Sequence, residues 1–284
     1  MVVTLELENK NNILKNSGDL HLHTRNSDGS LDAEHIVYLA SKIGLSYISL
    51  TDHDYLYDYE GISRLGEKYN INLIFGVELS CIDLKRNRKV HILAYNLKDP
   101  NILKPYCDRV LEDRIKASDE FVKHIIEKYN VVPELFEKYR SKVGCVFEVN
   151  ILRVLAECGY SNKVCGELYN EVFKGEDRLV FHHNEVREVL KAIKEAGGKS
   201  VLAHPSVHNS FELLDELVLE KSIDGVEVWH PKNKNVDREK LYNIVKTNNL
   251  IATGGTDFHG LYNSSVIRIG DCFTPHVYIE KILN

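Results

Sequence analysis

The sequence is poor in features that would indicate export, membrane insertion or a disulfide-stabilised fold. Its 284 residues contain one tryptophan, one methionine and six cysteines, and no two cysteines form a CxxC pair. No segment approaches the ~18 consecutive apolar residues of a membrane span. The start, MVVTLELENKNN, lacks the basic and apolar regions of a signal peptide. We therefore expect a cytoplasmic protein with reduced thiols that does not bind membranes.

The overall charge excludes another class of protein. With 36 basic and 42 acidic residues, the formal net charge is −6, whereas a protein that coats long nucleic acid needs many lysines and arginines on one face. Hydrophobic residues make up 43% and charged residues 27%, which is an ordinary globular balance. The length permits one barrel-sized domain or two smaller ones. Nothing in the sequence indicates an obligate protein partner.

Strand and helix patterns alternate in two separate parts of the chain. In the first part, the predicted strands are SGDLHLHT (17–24), SYISLT (46–51), INLIFGVELS (71–80) and VHILAY (90–95). In the second part, strands are predicted at 200–204, 225–229 and 251–256, and helices at 184–196, 210–220 and 236–248. Such alternation is typical of parallel strands covered by helices.

The segment between these two parts has a different pattern. From about residue 101 to residue 178 only helical periodicity is present, interrupted by Pro133, Gly144 and Gly159. We interpret this segment as an insertion. The predicted organisation is therefore an α/β unit formed by residues 1–100 and 179–284, with a small helical domain, residues 101–178, that caps it.

Histidines are abundant, with thirteen in the chain, and six of them lie with three acidic residues at or near predicted strand ends. His21 and His23 are two positions apart on one strand, so both side chains point to the same face and can chelate one metal. The other candidates belong to later strands or follow them: Asp28, His53, Glu78, His91, His204, Asp257 and His259. A parallel barrel builds its active site at the carboxyl ends of its strands.

The number of these residues favours a functional interpretation over a structural one. A single histidine at such a position is more often a core residue than a ligand, but packing does not account for nine ligand-type residues together. Imidazole and carboxylate ligands suit zinc, manganese or iron, and the lack of a cysteine ligand set argues against a structural zinc site. The sequence therefore predicts a centre of divalent metals.

Five short motifs carry a resemblance to a known family. DLHLHTRNSDG (19–29), TDHD (51–54), GVE (76–78), AHP (203–205) and TDFH (256–259) resemble the PHP (polymerase and histidinol phosphatase) family. Within it, the chain is most similar to the stand-alone nucleotide phosphatases and 5′–3′ exonucleases that carry a helical insertion. The resemblance implies a distorted (β/α)7 TIM-like barrel and a cluster of two or three divalent metal ions (Mn, Zn or Fe).

The resemblance also assigns the nine candidates to individual metals. A first metal would be held by His21, His23, Glu78 and Asp257. Glu78 would bridge to a second metal, held also by His91 and His204. A third metal would be held by Asp28, His53 and His259.

Such a cluster suits the hydrolysis of phosphate esters. Metals about 3.5–4 Å apart can share a hydroxide as the nucleophile and can bind the phosphoryl oxygens. Metal-bound water can reach a pKa near ~7, so no protein base is strictly required. Asp52 and Asp54 flank His53, and we expect them to orient it rather than to transfer protons.

Residues that contact the substrate are less clearly indicated. Trp229 and His230 follow a predicted strand and are expected to face the mouth of the barrel, where Trp229 either stacks on a base or fills the rim. Lys174 is a candidate for a phosphate contact. The resemblance also implies an arginine and a histidine in the insertion, where this chain has Glu148 and Asn150. On that resemblance a carboxylate replaces an arginine expected to bind phosphate, and Asn150 remains as a candidate contact.

The predicted activity is hydrolysis of phosphate esters of nucleotides or short single-stranded oligonucleotides. One alternative is a phosphatase for a small ester such as histidinol phosphate. Another is a non-catalytic metal-binding module, which the complete ligand set disfavours. The net charge of −6 favours a short substrate over a long strand.

Overall fold

Two β-sheets run through the chain in a computed structural model that describes residues 15–173 and 179–284. The first sheet contains β1 (Ser17–Leu22), β2 (Tyr47–Leu50), β3 (Asn72–Leu73) and β10 (Thr274–Pro275), in the spatial order β10-β1-β2-β3. The second contains β4 (Gly76–Asp83), β5 (Arg88–Tyr95), β6 (Asn184–Glu185), β7 (Lys199–Leu202), β8 (Gly225–Trp229) and β9 (Ile251–Gly254), in the order β6-β4-β5-β7-β8-β9.

Strand directions are mixed rather than uniformly parallel. The pairs β1–β2, β2–β3, β4–β6, β7–β8 and β8–β9 are parallel. β5 is antiparallel to both of its neighbours, β4 and β7, and β10 is antiparallel to β1. The short turn between β4 and β5 explains the difference, because only antiparallel strands can be joined by so few residues.

The two sheets adjoin at two points near the predicted ligands. Single bridges pair Leu22 with Phe258 and His53 with Glu78. Gly255 lies against β1 so closely that a Cβ at this position would be 2.5 Å from the backbone nitrogen of His21. Only glycine therefore allows this close approach of the two chain segments.

Helices cover the sheets and form the segment between the two strand-containing parts. Around the sheets lie α1 (Ala33–Ile43), α2 (Tyr59–Tyr69), α7 (Val186–Glu195), α8 (Pro205–His208), α9 (Phe211–Leu219), α10 (Asn235–Asn248) and α11 (His276–Leu283). The intervening segment contains α3 (Lys104–Tyr129), α4 (Glu134–Tyr139), α5 (Glu148–Glu157) and α6 (Glu167–Phe173). Among the described residues, no helix is both long and apolar enough to cross a membrane.

The intervening helices have an apolar core distinct from those of the sheets. Its buried members come from α3 to α6 and their connections, and include Phe121, Phe136, Leu155 and Phe173. Tyr262, from the chain after β9, packs into the same cluster. The separate core is what we expect of an inserted helical unit, because each compact unit buries its own apolar surface.

Candidate metal centre

The structure brings the nine predicted ligand residues together in overlapping groups. The first group is His21, His23, Glu78 and Asp257, whose donor atoms all lie within 4.8 Å of one another. The second group is Glu78, His91 and His204. The third group is Asp28, His53 and His259, which lie within the same 4.8 Å limit together with His23.

In the first group, two carboxylate oxygens face the same two imidazole nitrogens. Glu78 Oε2 lies 3.2 Å from His21 Nε2 and 3.1 Å from His23 Nε2. Asp257 Oδ1 lies 3.5 Å and 3.2 Å from these nitrogens. The four donor atoms thus surround one point, as the spacing of the two histidines along β1 predicts.

The second group uses the other oxygen of Glu78. Oε1 lies 2.9 Å from His91 Nδ1 and 2.9 Å from His204 Nε2. His91 reaches this oxygen because it is paired with Ser80 across the β4–β5 hairpin, and Ser80 is on the same face of β4 as Glu78. Glu78 therefore belongs to two groups at once, one through each oxygen.

The third group is arranged around Asp28. Asp28 Oδ1 lies 3.2 Å from His259 Nε2, and Oδ2 lies 3.6 Å from His53 Nε2. The second nitrogen of His53, Nδ1, is 3.2 Å from Glu78 Oε2. His53 thus links this group to the first.

Unpartnered polar atoms show that these groups fit metal ions. Within the described chain, five buried atoms of the groups have no hydrogen-bond partner: His21 Nε2, His23 Nε2, His53 Nδ1, His204 Nδ1 and Glu78 Oε2. Each such atom costs roughly 1–3 kcal/mol when left unsatisfied. All five are imidazole nitrogens or carboxylate oxygens, which are ligands for divalent zinc, iron or manganese.

The electrostatics of the groups also favour bound cations. Burial would raise the pKa of Glu78, but His21, His91 and His53 hold it well below its ordinary value. Burial would lower the pKa of His21, but the carboxylates of Glu78, Glu227 and Asp257 raise it well above its ordinary value. The carboxylates also raise the pKa of His23 against its burial, so protons on His21 and His23 compensate the buried carboxylates, and metal ions that bind here would displace them.

Glu227 is a functional residue that the sequence analysis missed. It is fully buried on β8, and its Oε1 lies 2.9 Å from His21 Nδ1. Its Oε2 accepts a hydrogen bond of 2.8 Å from the backbone N–H of His204. A carboxylate behind a ligand histidine fixes the tautomer and orientation of the ring. The one acidic residue in the apolar strand GVEVW was the available signal.

His230 reaches the site but supports a ligand. Its side chain is buried, and Nε2 lies 3.3 Å from Asp257 Oδ2. The backbone N–H of Lys232 donates a hydrogen bond of 3.1 Å to Nδ1 of the same ring. Both ring nitrogens have partners, so His230 is placed to orient Asp257, and it also lines the cavity beside the site.

Asp52 and Asp54 hold the backbone around the site rather than the ring of His53. Asp52 accepts hydrogen bonds from the backbone N–H groups of Thr24 and Ser27, at 2.8 Å and 3.0 Å, and so shapes the turn that leads to Asp28. Asp54 accepts from the N–H and hydroxyl of Ser80, at 2.9 Å and 2.7 Å. Our expectation that they orient His53 directly is corrected, because their oxygens are used by these neighbours.

His208 is a second residue near the site that the sequence analysis does not single out. Its ring centroid lies 4.7 Å from that of His91 and 5.3 Å from that of His204. The three histidines form a further group with ligand atoms within 4.8 Å of one another. The spacing of four residues from His204 was the only signal in the sequence.

A cavity of about 570 Å³, which we call the mouth cavity, opens beside the metal centre. Its wall includes Asp28, Asp257 and His259 from the predicted ligands. The helical segment contributes residues to the same wall, among them Val149 and Tyr169. The helices thus pack at the same end of the sheets as the metal-ligand groups.

The other residues predicted to contact the substrate do not converge on the site as the ligands do. Trp229 does not face the metal centre, because its ring packs against those of Tyr242 and Tyr278, at 5.8 Å and 6.1 Å between centroids. Asn150 is buried, and its Oδ1 accepts a 2.9 Å hydrogen bond from the N–H of Phe147 at the start of α5. Lys174 lies outside the described residues.

Comparisons with known proteins agree with this site. The PHP domain matches residues 19–203. A phosphoribosyl 1,2-cyclic phosphate 1,2-diphosphodiesterase from Eggerthella lenta is 30% identical over 249 residues, covering 86% of this chain and 94% of the relative. The 5′-3′ exoribonuclease Rnm from Escherichia coli is 29% identical over 253 residues, covering 85% and 84% of the two chains.

A solved structure is also similar. It comes from Bifidobacterium adolescentis and is described as that of a predicted metal-dependent phosphoesterase. The two structures superpose with a TM-score of 0.85 at 25% identity, covering 94% of this chain and 95% of the other.

Proposed function

This chain belongs to the PHP domain family, and we propose that it is a metal-dependent phosphoesterase acting on nucleotides or short oligonucleotides. The observation that carries the proposal is that nine histidine and carboxylate side chains converge on one site. Five buried atoms of these side chains have no hydrogen-bond partner among the described residues. Relatives of similar length are hydrolases of phosphate esters, which supports the same activity.

The three groups would hold two or three divalent ions. We assign one ion to each group, with Glu78 shared between the first and the second. When bound, such ions supply an activated water and the positive charge that phosphoryl transfer requires. Their identity follows from the donors, which suit manganese, zinc or iron.

The protein itself positions these ligands and needs no dedicated base. Glu227 and His230 fix His21 and Asp257 from behind, and Asp52 shapes the turn before Asp28. Buried histidines and carboxylates also exclude bulk water from the ligand side of the site, where charges then interact more strongly. Catalysis in this arrangement rests on preorganised ligands.

The architecture that supports this site is a distorted (β/α)7 barrel with a helical cap. The bridges Leu22–Phe258 and His53–Glu78 join the two sheets at both sides, which supports closure into a barrel. Residues 1–100 and 179–284 would form the barrel, and residues 101–178 the cap. The separate apolar core of the helical segment supports this division.

The mouth cavity favours a substrate of nucleotide size. Its volume of about 570 Å³ lies within the range of small-molecule sites. Tyr169 offers an aromatic ring for stacking, and Lys232 adds a cation. Tyr169 also donates a 2.8 Å hydrogen bond to Glu148, which places a negative charge behind the cavity wall and disfavours a second phosphate there.

A phosphate-release screen on metal-loaded protein tests the activity. Purified protein is analysed for bound metals, stripped, reloaded with manganese, zinc or iron, and assayed with mononucleotides, a bisphosphate and short oligonucleotides. We expect metal-dependent hydrolysis of mononucleotides or short single strands, and weak activity on the bisphosphate. The lack of any hydrolysis in all three metal forms would exclude the proposal.

Substrate length is tested separately. Rates on a short and a long single strand are compared at low and moderate salt. The net charge of −6 predicts little salt dependence and no advantage for the long strand, because few counterions are released on binding. A strong preference for the long strand that disappears with added salt would contradict this expectation.

A further inference from the structure

His208 places a third imidazole beside the second group. One ring nitrogen from each of His91, His204 and His208 lies within 4.8 Å of those of the other two. In the described chain, His208 Nε2 is buried and has no hydrogen-bond partner. A buried histidine that serves only packing would be expected to satisfy its polar atoms.

The backbone fixes His208 in this position. His204 precedes α8, a single helical turn that begins at Pro205 and ends at His208. His204 is not itself helical, with φ 27° and ψ 64°, and this bend of the chain leaves the two ring centroids 5.3 Å apart. The N–H of Val207 donates a 2.9 Å hydrogen bond to the carbonyl of His204, which closes the turn.

The three rings are close enough to share one ion after a small adjustment. Donor atoms around a tetrahedral ion with bonds of 2.0–2.1 Å stand roughly 3.3 Å apart. The ring nitrogens of the three histidines lie within 4.8 Å of one another, and binding of one ion would draw them to this spacing by rotation of the side chains.

We propose that His208 is an additional ligand to the metal of the second group and that it makes this position select zinc or iron over manganese. The inference rests on the proposed function to the extent that the second group is taken as a metal site. Three imidazoles, those of His91, His204 and His208, would then share this position, whereas the first group has two imidazoles and two carboxylates. Imidazoles favour zinc and iron, and carboxylates favour manganese and magnesium.

Cobalt binding and metal competition test the role of His208. Stripped wild-type protein, His208→Ala and His208→Gln are titrated with Co²⁺, and the visible absorption and retained metal equivalents are measured. Both variants should bind one ion at least about tenfold more weakly, with a changed absorption band. In an equimolar mixture of zinc and manganese, they should retain less zinc than the wild type. His35→Ala, an exposed histidine on α1, is the matched control and should behave as the wild type.

The outcomes separate this inference from the proposed function. Unchanged cobalt affinity, spectrum and zinc retention in either folded variant would overturn the role of His208. If the alanine variant does not fold, the glutamine variant, which keeps most of the side-chain volume, decides. Hydrolysis of 4-nitrophenyl phosphate is measured on the same wild-type samples. Metal binding that depends on His208 in a protein that hydrolyses no ester would refute the proposed function alone.

Discussion

At the scale of single residues, the ligands of the metal centre depend on partners behind them. His21 contacts Glu227 through Nδ1 while its Nε2 faces the first group. Asp257 is contacted by His230 on one oxygen and faces the histidines of the first group with the other. Such partners orient a ligand before the metal arrives, so loss of a ligand and loss of its partner should have different effects.

Loss of a ligand should abolish most of the activity. His23→Ala or Asp257→Ala removes one donor from the first group, and we expect kcat/KM to fall by at least about 100-fold, more than for a supporting residue. The fold should persist, because both residues lie just outside β1 and β9. Steady-state kinetics, metal analysis and circular dichroism measure these effects. Full activity with unchanged metal content would refute the assignment.

Loss of a supporting residue should weaken metal binding without removing it. Glu227→Gln keeps the shape of the side chain but removes the charge that orients His21, so metal affinity should fall by roughly 10–100-fold. Competition with a chelator measures this affinity. Glu34→Gln, an exposed acidic residue on α1, serves as the control. Equal affinities in the two variants would show that Glu227 does not act through His21.

At the scale of elements, helix α3 is tied directly to the metal-bearing strands. Arg114 is buried on α3, and its Nη2 donates hydrogen bonds to Asp54 Oδ2 at 3.1 Å and to Ser80 Oγ at 2.8 Å. Its guanidinium also lies 4.1 Å from the ring centroid of Phe181. The ion pair therefore connects the helical segment to the chain after β2, and the hydrogen bond to Ser80 connects it to β4.

Breaking this ion pair should destabilise the protein. Arg114→Met leaves the buried carboxylate of Asp54 without its partner, at a cost of about 3–5 kcal/mol. Adding Asp54→Asn should recover part of the loss, since asparagine tolerates the positive φ of 54° at this position. Denaturant unfolding measures these changes. As a control, Arg64→Met breaks an exposed ion pair with Glu60 and should lower the free energy of unfolding by less than about 1 kcal/mol.

The loss should also depend on pH. Burial raises the pKa of Asp54 above its ordinary 3.8, and Arg114 counteracts this increase. Without Arg114 the pKa of Asp54 should rise further. The variant's loss of stability relative to the wild type should therefore be smallest below pH ~4, where Asp54 is protonated in both proteins. Its deficit against the wild type should then grow as the pH rises through the raised pKa. A deficit that does not change with pH would indicate that Asp54 stays protonated.

The sequence predicted the elements and the ligands better than their surroundings. The helical segment and the strands around His21 and His204 were predicted close to their observed positions, because hydrophobic periodicity is a local property. For Trp229 the sequence left base stacking and packing at the rim open, since a register shift in the β8–β9 pairing follows Glu227 and no local pattern reveals it. Glu227 and Arg114 were missed because their partners are distant in sequence.

At the scale of the whole molecule, the metal centre is part of the structural core. Its ligands come from β1, β4, β5 and the segments after β1, β2, β7 and β9. These carboxylates and histidines are thus buried where the two sheets adjoin, and several of their polar atoms have no hydrogen-bond partner among the described residues. Bound ions should therefore stabilise the entire fold as well as the site.

Removal of the metals should lower the melting temperature. Ligands at about 1,000 times their dissociation constant add about 4 kcal/mol of stability, which for a chain of this size corresponds to a decrease of about 10 °C on stripping. Calorimetry before and after chelation, and after zinc or manganese is restored, measures it. Asp257→Ala should show a smaller shift. A melting temperature that chelation leaves unchanged would mean that the groups hold no ions.

The position of Glu78 has a consequence for the order in which the ions are acquired. Because Oε2 faces the first group and Oε1 faces the second, an ion in either group holds the carboxylate in the orientation that the other requires. Each ion should therefore raise the affinity of its neighbour by the same factor, as linkage demands. Metal uptake would then be cooperative, so that at limiting metal the population divides into empty and loaded molecules with few intermediates.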